Sequence, residues 1–191
     1  MGEFRIRGIR WGLLLAAAAL SAAAQMPAHK QGGAAPRKST VQSAAAAASA
    51  QCTPELWKHV YKPARLIVKQ KCIAVTGVIV DATANQKQHH ADGVRHEPDG
   101  DSHGWLKVDP PFADVLNDGN RSNEGGNLVF EIVCRYPISQ ADAIRACRGY
   151  QDEVQLPPVG SHVRIVGTFV QDTNHEKWNE IHPVTSIAVV P

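Results

Sequence analysis

The 191-residue chain lacks most of the short patterns that announce a chemistry. No H-E-x-x-H is present, so no helical histidine pair is set up for zinc proteolysis. No G-x-S-x-G forms a nucleophile elbow, and no Gly-rich loop precedes a Lys to cradle phosphate. No two of its four cysteines stand in C-x-x-C spacing, which leaves a zinc–thiolate knuckle without support. Long hydrophobic runs are missing too. The apolar stretch "WGLLLAAAALSAAA", residues 11–24, has 14 residues, against the roughly 20 that a membrane-spanning helix needs. Arg5, Arg7 and Arg10 precede it and small residues end it. That is the tripartite pattern of a secretory signal, with cleavage expected before Gln25. No cysteine follows closely, so a lipid anchor is not expected.

Residues 25–51, "QMPAHKQGGAAPRKSTVQSAAAAASAQ", carry almost no large apolar side chain. Such a stretch cannot bury enough surface to offset its ordering entropy, and reads as an Ala/Gln/Ser-rich flexible tether. The folded unit is therefore expected over 52–191, as one domain. Cys52, Cys72, Cys134 and Cys147 all fall inside it. An even count in a chain with an export signal argues for disulfides and a periplasmic or extracellular destination. Of the three connectivities, sequential pairing closes two short loops and is preferred: Cys52–Cys72 and Cys134–Cys147.

Periodicity gives a mainly β unit. "CTPELWKHVY" offers a short N-terminal helix, with Thr53 as N-cap and Pro54 in the first turn. "ARLIVKQKCIAVTGVIVDAT" is long and β-branched, with Gly77 as a bend or bulge. "SHGWLKVD" and "NLVFEIVCRY" follow as strands. "SQADAIRAC", opening on Ser139 and stopping at Gly149, has helical spacing. "SHVRIVGTFVQD" and "WNEIHPVTSIAVV" are two closing strands. Strand, strand, strand, helix, strand, strand resembles the OB-fold, a five-stranded barrel with a helix between strands three and four. A small β-sandwich is the alternative. The chain also resembles exported bacterial domains of uncharacterised function. They share a "DGDxH" stretch (Asp99–His103), a "QADA…C" helix (Gln140–Cys147) and a "W-x-EIHPV" strand (Trp178–Val184). That resemblance implies a shared fold and no activity.

Many OB-folds bind oligonucleotides, whose affinity rests on Lys and Arg neutralising phosphates. Residues 72–191 hold nine Lys and Arg against sixteen Asp and Glu, a net of −7, whereas 25–71 hold eight against one, a net of +7. An acidic barrel repels phosphate, so nucleic acid is not the expected partner.

Strand alternation then places the polar residues. With Leu106, Val108, Ile181, Ile187 and Val189 inward, Asp101, His103, Trp105, Trp178, Glu180 and His182 turn outward. Leu128, Phe130 and Ile132 point in, and Glu131 points out. If the third strand lies between the second and fifth, these side chains converge on one external face, flanked by loops 83–101 and 172–177. Those loops bring His89, His90, His96, Asp99, Asp172 and His175. Two His and one or two carboxylates suffice for zinc or another divalent metal. The candidate ligands are His103, His182, Glu180, Glu131, Asp101 and His175, with Trp105 and Trp178 as ligand-binding surfaces. Ser102 and Ser186 have no activating frame. The expected function is a non-catalytic, exported OB-like binding domain taking a divalent metal, a small ligand or a protein partner on this face. The alternatives are a metal-dependent hydrolase of phosphoester or related bonds, and a structural envelope-associated module.

Overall fold

β-Branched residues in long alternating runs make extended backbone, and the longest run forms the longest strand, β1, at Leu66–Val80. In the computed structural model, residues 52–84 and 89–191 are described; the expected signal (1–24) and tether (25–51) lie outside the described residues. After β1 come a two-residue strand β2, Arg95–His96, and then β3, Ser102–Val108. A six-residue helix α1, Asp118–Asn123, precedes β4, Leu128–Ile132. Two long strands follow, β5 at His162–Asp172 and β6 at Asn179–Val189.

β1 pairs antiparallel with β5, and β5 with β6. β6 then runs parallel to β4, with Val129 opposite Glu180. β4 pairs antiparallel with β3, and β3 returns to β1 through Gly77 opposite Val108. The last pairing closes the sheet, so the fold is a five-stranded OB-like mixed barrel and not a sandwich. β2 is an extra strand on β3. The interior is filled by Val75, Ile79, Leu106, Phe130, Ile165 and Ile181, among others, all fully buried.

Gly77 plays a different part from the expected bulge. It is the seam residue, opposite Val163 of β5 and Val108 of β3 at once. A Cβ there would sit 2.4 Å from the Lys107 carbonyl oxygen, so the barrel closes only over a glycine. The register shifts of β1 lie earlier, between Val68 and Ile73.

The N-terminal helix is present as a 3-10 segment, Pro54–His59, with no side-chain cap from Thr53. The expected helix from Ser139 is instead a series of turns. Its bonds run i to i+3: Ala143 N–H to Gln140, Ala146 to Ala143 and Tyr150 to Cys147. Ser139 donates its hydroxyl to the Pro98 carbonyl, and the Ser139 and Gln140 N–H groups bond that same carbonyl. Both preferred disulfides are formed, Cys52–Cys72 and Cys134–Cys147. Val189, expected inward, is 67% exposed, because it is the last residue of β6 and lies beyond the core.

Gly104 of β3 faces the Phe130 ring across the β3–β4 pairing, and a Cβ on it would meet that ring at 2.1 Å. Gly104→Ala is therefore expected to cost about 1–3 kcal/mol through overpacking. In Gly104→Ala/Phe130→Leu, urea unfolding should give a cost well below the sum of the single changes, because the smaller side chain vacates the clash. Strictly additive costs would contradict this packing.

Candidate functional site

Three adjacent strands, β3, β4 and β6, each turn a polar residue to the outside of the barrel, and Glu131 on β4 stands in the middle. Its Oε1 accepts from His103 Nδ1 at 3.2 Å, and its Oε2 is ion-paired with His182 Nδ1 at 2.8 Å. Glu180 Oε1 lies 3.1 Å from the same His182 nitrogen. Glu180 Oε2 accepts the Trp178 indole N–H at 2.8 Å. On the far side, His103 Nε2 is 3.4 Å from Glu124, which also accepts the Trp105 indole at 2.5 Å. The expected convergence of His103, Glu131, Glu180 and His182 is present.

The face is not external, which corrects the expectation. His182 is 0% exposed, Glu180 and Asp101 1%, His103 2% and Glu131 7%. An outer layer lies on this part of the barrel wall, made by residues 52–65 and the disulfide-closed segment after β4. His59 Nδ1 bonds the Ala146 carbonyl at 2.8 Å and its ring stacks on Tyr150. Gln140 donates to the Tyr61 hydroxyl, which donates to Asp142. An apolar cluster of Val60, Leu66, Val133, Cys134 and Val170 seals the layer to the barrel. From it Arg65 reaches Asp172 at 2.6 Å and Glu180 at 4.0 Å.

Burial opposes charge on every one of these groups, and their partners decide the outcome. Burial alone would raise the Glu131 carboxyl, but the two imidazoles hold it well below the usual range. Burial would lower His182, yet Glu131 and Glu180 raise it well above an ordinary histidine. His103 is likewise raised, by Glu124 and Glu131 against its burial. Asp101 differs: burial dominates, and its carboxyl is pushed well up, with only His182 and a backbone N–H opposing. Its Oδ1 accepts the Cys134 N–H at 2.7 Å. Its Oδ2 lies 3.5 Å from His182 Nε2, within ion-pair range, but neither atom makes a hydrogen bond.

Above the cluster is a cavity of about 350 Å³ floored by His103 and Glu131. Trp178 and His175, stacked 5.3 Å apart, form one wall. Tyr61, Lys62 and Arg65 line it as well, as do Arg95 of β2 and, from the loop before β3, Glu97 and Asp99. His175 therefore belongs to the cavity wall. Its ring bonds Asp172 at 2.8 Å, its side chain is 55% exposed, and it does not join the buried histidines. Asp101 stands behind the floor with His182 and Glu180. Trp105 serves Glu124 and does not line the cavity. His89 pairs with Asp81 and His96 with Asp92, while His90 stacks on His96; none of the three lines the cavity.

Sequence reasoning missed Glu124, Arg65, Tyr61 and Arg95. For Glu124 a local signal existed in Asn117 and Asn120, whose reciprocal capping box starts α1 and sets the residue that ends it. Asn120 also anchors β6, accepting the Asn179 N–H and donating to its carbonyl, each at 2.9 Å.

The cavity's outer wall makes a pH prediction. Hydrogen bonds from Tyr61 and Gln140 hold the Asp142 carboxyl down to about 2, with Lys62 adding to them. A depressed carboxylate favours the folded state above its unfolded value of about 3.9, and that contribution is lost as pH falls through about 2. An NMR titration should find Asp142 near 2 in the wild type and clearly higher in Tyr61→Phe. An Asp142 titrating near 3.9 in both would show that the contact does not hold the wall. No family model, no curated protein and no solved structure matches the chain, so the geometry alone carries the functional reading.

Proposed function

We propose that the chain is an exported OB-like binding domain whose ligand is a small polar molecule held in the cavity above His103 and Glu131. The observation that carries this reading is the cavity itself. Its volume is that of a compact ligand site, and it sits beside the segments before β3 and before β6, where OB-folds bind their ligands. Its lining presents donors from Lys62, Arg65, Arg95 and Gln140, acceptors from Glu97, Asp99 and Glu131, and the aromatic faces of Trp178 and His175. A ligand with one planar face and both donor and acceptor groups satisfies that set. Export is supported by the signal-like start and by two disulfides, which persist in oxidising compartments. Among the described residues no helix is long and apolar enough to cross a membrane.

Binding fits better than hydrolysis. A metal-bound water would have to meet substrate in the cavity, and of His182, Glu131 and Asp101 only Glu131 lines it. Nucleic acid is disfavoured by the acidic barrel.

A thermal-shift screen of small polar metabolites against the mature protein tests the proposal. A ligand of the folded state should raise the melting temperature in proportion to the logarithm of its concentration. His175→Ala removes a stacked wall without touching the buried His103 and His182, and should weaken binding about tenfold. His89→Ala, away from the cavity, should leave it unchanged. A hit that survives His175→Ala, or a response only to a protein partner, would contradict the cavity as the ligand site.

A further inference from the structure

The geometry points to a divalent-cation site behind the cavity floor, held by Asp101, His182 and Glu131. It does not depend on the cavity binding a small molecule. The three groups come from separate places in the chain, the turn before β3, β4 and β6, and their ligating atoms lie within 4.8 Å of one another.

The orientation of His182 is the first argument. Its Nδ1 faces two carboxylates, Glu131 at 2.8 Å and Glu180 at 3.1 Å. The other ring nitrogen, Nε2, faces Asp101 Oδ2. A metal-binding histidine commonly has a carboxylate hydrogen-bonded to its other nitrogen, here Glu180, which fixes the ring from behind. Glu180 is fixed in turn by the Trp178 indole, and Asp101 by the Cys134 N–H on its other oxygen.

The second argument is the pair of orphaned atoms. His182 Nε2 and Asp101 Oδ2 are buried and lack any hydrogen-bond partner. Such groups are costly unless something positive lies between them. Their 3.5 Å separation is long for a hydrogen bond. It matches the spacing of about 3.4 Å between two ligands on one tetrahedral ion with bonds of about 2.1 Å.

Charge is the third. Five carboxyl groups, Asp101, Glu131, Glu180, Asp172 and Glu124, are buried around two imidazoles and the guanidinium of Arg65. A divalent ion reduces that excess at its centre. The nitrogen-and-carboxylate donor set suits zinc or manganese, and it contains no thiolate. The neighbouring group Asp101–Cys134–Cys147 supplies none either, since both cysteines are in the disulfide. The ion's role is structural: it would tie β6 to the turn before β3 underneath the outer layer.

The test uses the whole mature chain. Metal analysis after zinc or manganese loading and dialysis should give about one equivalent per chain. EDTA should lower the melting temperature, and readding the ion should restore it. Asp101→Asn keeps the shape and the Cys134 bond but weakens the ligand, and should lose both the retained ion and the EDTA response. His175→Ala, which disables the ligand cavity, should keep both, so the two proposals fail independently. If the variant does not fold, the wild-type response to EDTA and readdition still decides. A wild-type protein that retains no ion and ignores EDTA would overturn the site, as would equal retention by folded Asp101→Asn.

Discussion

Glu131 holds two histidines at once, and much of the outer structure follows from that single carboxylate. It sits on β4, between β3 and β6, with one oxygen hydrogen-bonded to His103 Nδ1 and the other ion-paired with His182 Nδ1. Parity makes this arrangement exacting. Phe130 and Ile132, on either side of it, fill the barrel interior. A one-residue slip of β4 would drive the carboxylate into that core and leave both imidazoles without their acceptor.

A charged cluster is costly to bury without partners, and here most of its groups are paired and all of them are covered. The cover has its own anchors. Cys134, two residues past the end of β4, donates its N–H to Asp101 and is bonded to Cys147, so the same residue orients an acid of the cluster and closes the segment above it. Cys52–Cys72 ties the start of the folded region to β1. Between those staples, His59 on Tyr150 and Tyr61 on Asp142 lock the two covering segments together. The cavity is the gap this layer leaves, and Arg65, drawn in by Asp172, shapes one side of it.

The barrel was legible because alternation is a local property: Leu106, Phe130 and Ile181 repeat at period two, and the outward set follows from them. Strand order came from the resemblance to the OB-fold, and it placed Glu131 between His103 and His182. What alternation cannot supply is what lies on the outward face. "Outside the barrel" became "exposed" for His182 and Glu180, whereas the burying residues come from 52–65 and 133–151, distant in sequence. The same gap explains His175, which the loop brings to Trp178 and Asp172 and not to the buried histidines. Helical spacing at 139–147 was a real pattern overruled by its setting, since the Ser139 and Gln140 N–H groups are drawn to Pro98 and Cys147 is tied to Cys134. Gly77 carried a correct signal of special backbone, read as a bulge where closure of the barrel was the cause.

The central claim is that both Glu131 oxygens are needed, each by an imidazole that presents an N–H. Denaturant unfolding of Glu131→Gln tests it most directly. The amide offers one acceptor, and must turn its NH2 toward the other imidazole donor, leaving a buried clash of donors and an uncompensated charge. Loss of one member of a buried ionic set typically costs about 3–5 kcal/mol, and a loss of that size is the predicted result. A cost below about 1 kcal/mol, within the range of an exposed pair, would contradict the account.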